Sequence, residues 1–311
     1  MSGLDERINT FSKYYKYKYG RKMFKVGLST GLECPQRVNG SPCIFCEPKS
    51  FIDNESKELG SITQQIDYLT NKISKQYRDI GFIAYFQDNT STYGDLAFLK
   101  KLFTEAINHP LINEVIISTR PDYINEDLLS FFSRMEKDVT FELGIQTIHD
   151  KSLQFLNRNH SHQHSIDAIN LLKKYSFRVG SHILLGIPNE TKADILSTID
   201  FLNRTGVDDI KIHHLIAYKN TQYGAIYDSV IQSIAYSSLG EYCDLLIEII
   251  RVLNPNTIIS RLFTSNLNRH GNAKNQFAGV KRQWINHLTK MLNEKNIVQG
   301  MDYVDYRSVC E

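Results

Sequence analysis

A chain of 311 residues with 41% hydrophobic and 23% charged side chains is long enough for a large core and ordinary in composition for a globular protein. Its 36 Lys and Arg nearly balance 34 Asp and Glu, leaving a formal net charge of +2, so bulk charge names no partner. The opening stretch MSGLDERINTF has no apolar h-region and no run of about eighteen apolar residues follows, so neither a signal peptide nor a membrane span is expected. Five cysteines, an odd number without a secretion signal, fit a reducing compartment, and the chain is expected to be cytoplasmic.

Residues 11–25, FSKYYKYKYGRKMFK, hold six Lys and Arg, four Tyr, two Phe and no acid. Cations that neutralise phosphates beside rings that stack on bases would make an RNA-contacting strip. Solvated lysines around packed tyrosines would instead make a covering extension, and both readings stay open. Apolar, β-branched runs follow at 24–30, 80–87, 114–119, 139–146, 178–187 and 209–216, with a weaker one at 257–263. Several are apolar at nearly every position, as parallel strands covered on both faces are. Helical patterns separate them. In SITQQIDYLTNKISKQY, Ile62, Ile66, Leu69, Ile73 and Tyr77 share a face behind a Ser61–Gln64 capping box. In TKADILSTIDFLNRTG, Thr191 and Asp194 open the helix, Ile195, Ile199 and Leu202 line it, and Gly206 can end it. DLAFLKKLFTEAIN and HSIDAINLLKKYS are amphipathic too. Strand–helix alternation predicts βαβ units in a parallel sheet or barrel, although a doubly wound open sheet fits the same pattern. After Tyr227 the chain turns mainly helical, in SSLGEYCDLLIEIIRVL and QWINHLTKMLNEKN, and ends on the strand-like GMDYVDYRSV. The expected organisation is an N-terminal extension (1–23), a core (24–227) and a C-terminal extension (228–311).

Three cysteines crowd into GLECPQRVNGSPCIFCEP, the long loop after the first strand: Cys34, Cys43 and Cys46, spaced C-x8-C-x2-C. A structural zinc site needs four ligands, and the other two cysteines do not offer one, Cys243 sitting in a helical pattern and Cys310 next to the last residue. Three thiolates would leave one iron of a 4Fe–4S cluster open to a small molecule. Zinc and unpaired thiols remain alternatives on residue chemistry alone.

With Phe45 before its last cysteine, the motif resembles a variant of the radical S-adenosylmethionine (SAM) signature, C-x3-C-x-φ-C. The longer first gap is similar to the branch containing YhcC/YtqA-type proteins and the catalytic subunit of Elongator. YFQDNTSTYG (85–94), STRPDYINEDLL (118–129), ELGIQTIHDKSLQFLNRNH (142–160), HILLGIPNET (182–191) and IKIHHLIAYKNT (210–221) follow in the order that YhcC-type proteins show. The resemblance covers most of residues 7–227.

That resemblance implies an α/β fold, a partial (β/α)6 TIM-like barrel with the two extensions packed on it. It implies a 4Fe–4S cluster on Cys34, Cys43 and Cys46, SAM chelating the fourth iron, and reductive cleavage to a 5′-deoxyadenosyl radical that abstracts a substrate hydrogen. Phe45 would shield the cluster or simply pack. Gln87 and Thr90, with Tyr85, would contact SAM, although FQDNTS replaces the common Gly-Gly-Glu. Glu142 and Gln146 flank the fourth strand on one face with Gly144, where Glu142 would meet the ribose or sulfonium. Gly186, with Pro188, would let backbone approach adenine. Arg120 would clamp a carboxylate or phosphate, or form a structural ion pair. His160, His162 and His164 suggest a metal only if their segment is extended, and one of His213 and His214 would face the site. The Elongator likeness points to tRNA, at the wobble uridine, with flavodoxin or ferredoxin as electron donor and no membrane partner. A radical SAM enzyme of a small metabolite, or a zinc-binding, non-catalytic RNA module, are the alternatives. One departure is Ser260-Arg261-Leu262-Phe263-Thr264-Ser265, where the family tends to carry His-Arg-Leu-Thr-Gly-Asp.

Overall fold

Seven strands form one sheet: β1 Lys22–Leu28, β2 Ile80–Phe86, β3 Ile112–Thr119, β4 Val139–Gln146, β5 Arg178–Leu185, β6 Asp209–His214 and β7 Ile258–Arg261. Each pairs in parallel with the next in chain order, so the sheet is singly wound and not the doubly wound alternative. This is a computed structural model in which residues 3–47, 59–264, 273–274 and 277–305 are described. Helices carry the chain between strands, among them Ile62–Ser74, Leu96–Asn108, His162–Lys174, Lys192–Thr205 and Leu239–Val252. The architecture is the expected partial TIM-like barrel, extended by a seventh strand from beyond residue 227.

Local chemistry accounts for the element ends. Ser61 accepts from Gln64 N and Thr191 from Asp194 N, each within a reciprocal capping box. Gly206 ends its helix at φ 63°, a left-handed conformation that costs glycine little. The first long helix stops at Ser74, short of Tyr77, whose ring packs on Phe24 at 4.8 Å instead. Phe86, Phe103, Phe132 and Phe141 form a chain of edge and tilted ring contacts from β2 through two helices to β4, with ring centroids 4.9, 5.0 and 5.5 Å apart. Residues 300–305 are turn and coil, not strand, and the rest of GMDYVDYRSV lies outside the described residues.

The sheet curls far enough for one helix, Phe11–Tyr19, to touch both of its edges, β1 and β7. Just before that helix Ile259 N donates to Asn9 O at 2.8 Å, and Thr10 bridges Ile259. The helix therefore closes the end of the barrel where the strands begin. Tyr15 donates to the buried Glu114 at 2.6 Å and Lys18 does so at 2.7 Å, while Tyr19 and Thr140 reach the same carboxylate at 3.1 Å. Much of the basic, aromatic strip is thus turned inward, and what stays exposed (Lys13, Lys16, Tyr17 and Lys22) lies at this closed end.

Candidate active site

At the opposite end, where the strands finish, the cysteine loop leaves β1 and is pinned on several sides. The Gln65 side chain accepts from Ser29 N at 2.8 Å and donates to Ser29 O at 3.1 Å. Ile44 N donates to Leu156 O at 3.1 Å, and Tyr223 N donates to Ile44 O at 2.9 Å. The Asn157 amide donates to Pro42 O at 2.9 Å and Ser41 O at 3.2 Å, and the Asn159 amide to Gln36 Oε1 at 2.5 Å. Asn157 and Asn159 sit at φ 53° and 52°, a left-handed region that asparagine tolerates better than most residues. Their conformation puts Arg158 between them.

Each thiol of the loop then meets a donor. Thr90 Oγ1 stands 3.5 Å from Cys34 Sγ, Arg158 Nη1 is 3.4 Å from Cys43 Sγ, and Arg37 Nη2 is 3.2 Å from Cys46 Sγ. Burial pushes the Cys46 thiol up in pKa, and the Arg37 guanidinium pulls it the other way. Among the described residues no three His, Cys, Asp or Glu side chains are gathered as a single metal ion requires. A cube of four irons, with each thiolate on its own corner, spreads its ligands more widely. Two guanidiniums and a hydroxyl aimed at sulfur suit such an anionic group. The donor set fits an iron–sulfur cluster.

The thiols open onto a cavity of about 310 Å³. Its floor comes from alternate, inward-facing residues of the strands: Tyr85, Ser118, Gly144, His182 and Lys211, with Arg261 at the end of β7. Below the floor lies Glu142, 1% exposed, with both oxygens engaged. Oε1 accepts from Lys25 at 2.6 Å; Oε2 accepts from Tyr85 at 2.8 Å and Lys211 at 3.2 Å and lies 2.6 Å from His182 Nε2. Burial opposes ionisation of Glu142, but Lys211, Lys25 and His182 hold its pKa well below the usual carboxylate value. Burial, against the pull of Glu142, lowers Lys211 to about 7.

Residues 28–202, more than half of the chain, match the family described as the Radical SAM superfamily. The chain belongs to that superfamily. Protein YhcC of Escherichia coli (strain K12) is 33% identical over 224 residues, which are 70% of this chain and 71% of that protein. Uncharacterized protein YtqA of Bacillus subtilis (strain 168) is 27% identical over 266 residues, 84% of this chain and 82% of that one. Among solved structures, archaeal Methanocaldococcus infernus Elp3 lacking its N-terminus has a TM-score of 0.65 at 14% identity, covering 89% of this chain and 64% of that one, a likeness of fold. Membership in the radical SAM superfamily brings its cofactors, a 4Fe–4S cluster and S-adenosylmethionine.

Of the residues expected to serve radical SAM chemistry, Cys34, Cys43, Cys46, Gln87, Thr90 and Gln146 line the one cavity. Glu142 and Gly186 do not. Glu142 is turned to the lysines beneath the floor, and Gly186, at φ 87°, leaves room for the Tyr236 hydroxyl, which a Cβ there would approach to 2.5 Å. Arg120 forks onto Asp122 at 2.9 and 2.8 Å and donates to Arg158 O at 2.6 Å, so it is an ion pair that braces Arg158. The three histidines do not converge: His162 and His164 fall inside the helix His162–Lys174, and His160 is buried with both ring nitrogens unpartnered. His213 lines the cavity, whereas His214 packs among Tyr242, Phe277 and Trp284. Arg37, Arg158, His182 and Lys211 were not singled out from sequence. The signal for the strand residues was there: a polar side chain every second position in otherwise apolar strands marks the inward face. Arg158 had none beyond its two flanking asparagines.

Proposed function

We propose that Cys34, Cys43 and Cys46 hold the 4Fe–4S cluster, with SAM beside it in the cavity, and that the enzyme begins a radical reaction on a substrate bound over the barrel floor. The observation that carries this is the pairing of each of the three thiols with its own side-chain donor at the mouth of one cavity. When bound and reduced, the cluster and SAM supply a 5′-deoxyadenosyl radical that takes a hydrogen atom from the substrate. The chain's own residues bind and orient. Arg37 and Arg158 stabilise negative charge on the sulfurs, Gln87, Thr90 and Gln146 offer polar contacts to SAM, and Phe45 walls the cluster from solvent. An electron donor of the flavodoxin or ferredoxin kind has to reach the cysteine end.

Anaerobic reconstitution tests the assignment. The wild type should take up about four irons per chain and form 5′-deoxyadenosine with dithionite and SAM. The variant with Cys34, Cys43 and Cys46 all replaced by Ala should do neither. Iron uptake by that variant, or zinc in the wild type with no SAM cleavage, overturns it.

For the substrate, a small metabolite is the reading favoured by geometry, because the basic strip closes the far end of the barrel and spends Lys18 and Lys25 on Glu114 and Glu142. The likeness to the Elongator catalytic subunit supports the other reading, a tRNA wobble uridine. Filter binding of tRNA at several salt concentrations separates them. Binding that falls with Lys13→Ala and Lys16→Ala would favour tRNA, and no retention at moderate salt would favour the metabolite.

A further inference from the structure

Five cations line the cavity, and among the described residues no Asp or Glu does. Four of them have work in hand. Arg37 and Arg158 face sulfur, Arg120 holds Asp122, and Lys211 reaches Glu142. Arg261 differs. Among the described residues its side chain meets only His213 Nδ1, at 3.4 Å, and no carboxylate pairs with it.

The surroundings deepen the imbalance. Lys25 and Lys211 both pair with the Glu142 carboxylate, and burial raises Asp209 to about 7. His213 Nε2 is buried without a partner. Burial comes first in lowering Lys211 to about 7, His182 to about 4 and Lys281 to about 8, and Arg261 pushes each further down. His182 on β5, Lys211 on β6 and Lys281, the first residue of the helix Lys281–Glu294, thus all lie within reach of the Arg261 charge. Next to it a second lobe of about 190 Å³ shares His182, His213 and Tyr218 with the main cavity and adds Leu184, Leu215 and Ile216, together with His214 and Glu47, whose carboxylate accepts from the Asn220 amide.

We propose that Arg261, with His213 and Lys211 on the neighbouring strand, forms an oxyanion subsite that grips a carboxylate or phosphate of the substrate, whose apolar part lies in the adjoining lobe. β7, which carries Arg261, stands at the other end of the sheet from β1, which carries the cysteine loop. A planar guanidinium holds either oxyanion through two parallel hydrogen bonds. The substrate is therefore a small apolar acid or phosphate ester. The word substrate rests on the radical SAM reading, but the anion site does not.

The test is calorimetric titration of orthophosphate and of butyrate, separately, into the apoprotein and into the reconstituted protein saturated with SAM. One of the two should bind at one site per chain in both forms, and which one binds identifies the oxyanion. Arg261→Gln should weaken it about tenfold or more and Arg261→Lys by less, with iron content, SAM affinity and melting temperature unchanged. Binding of neither anion to the wild type, or equal binding to the Gln variant, overturns the proposal. So does displacement of the anion by SAM together with weaker SAM binding in the variant, since Arg261 would then serve the carboxylate of SAM. Failure to take up iron would sink the functional reading while leaving the apoprotein titration valid.

Discussion

Replacing Glu142 by Gln strikes the point where the barrel interior is most tightly balanced. The carboxylate accepts from Lys25, Tyr85 and Lys211 and contacts His182, all within 3.2 Å. An amide keeps the shape but turns an NH2 toward one set of these donors and removes the charge that holds the buried Lys211 and the partly buried Lys25. Breaking a buried pair from one side costs about 3–5 kcal/mol. Lys211, already lowered to about 7, can shed its proton, which keeps the cost near the lower end. A loss of about 3 kcal/mol multiplies the unfolding constant roughly a hundredfold. The pH dependence follows from Lys211. The wild type takes up its proton as pH falls through about 7, whereas the variant, lacking Glu142, resists protonation further. The stability gap between the two should therefore widen from pH 9 to pH 6. Urea unfolding at both values measures it. A gap under about 1 kcal/mol, or one that does not change with pH, would refute the picture of a carboxylate balancing buried cations.

Three further outcomes follow from the same structure. His214 lies in an aromatic cage with its pKa lowered by burial to about 4, so its contribution is fully present above the ordinary histidine pKa and lost as pH falls toward 4; His214→Leu should remove about one proton from the acid unfolding step between those values, seen as a shallower stability–pH slope. Gly224→Ala would set a Cβ 1.8 Å from Tyr218 O, a backbone atom that cannot yield, so the variant should melt well below the wild type or fail to fold. Arg158→Gln withdraws a charge-assisted bond from Cys43, and the cluster midpoint in a redox titration should fall by about 60 mV for about 1.4 kcal/mol lost; an unchanged midpoint would show that the guanidinium does not act on the cluster.

The sheet was legible because its strands are covered on both faces and read as unbroken apolar runs between amphipathic helices. The cysteines were legible because three thiols in a short loop are rare in a cysteine-poor chain. Glu142 was recognised as buried and inward, but its neighbours were not, because Lys25, Tyr85, His182 and Lys211 come from four strands far apart in sequence and only the register brings them together. The inward role of Tyr15 and Tyr19 was hidden for the same reason: Glu114, the carboxylate both reach, is about a hundred positions away in a mostly apolar strand. Tertiary pairing of polar groups leaves little trace in local pattern.

The most direct measurement is electron paramagnetic resonance of the dithionite-reduced, reconstituted protein with and without SAM. The account predicts a reduced 4Fe–4S signal whose g-values shift when SAM is added, and no such signal once Cys34, Cys43 and Cys46 are Ala. A signal indifferent to SAM would contradict it, because the cluster would then have no open iron facing the cavity.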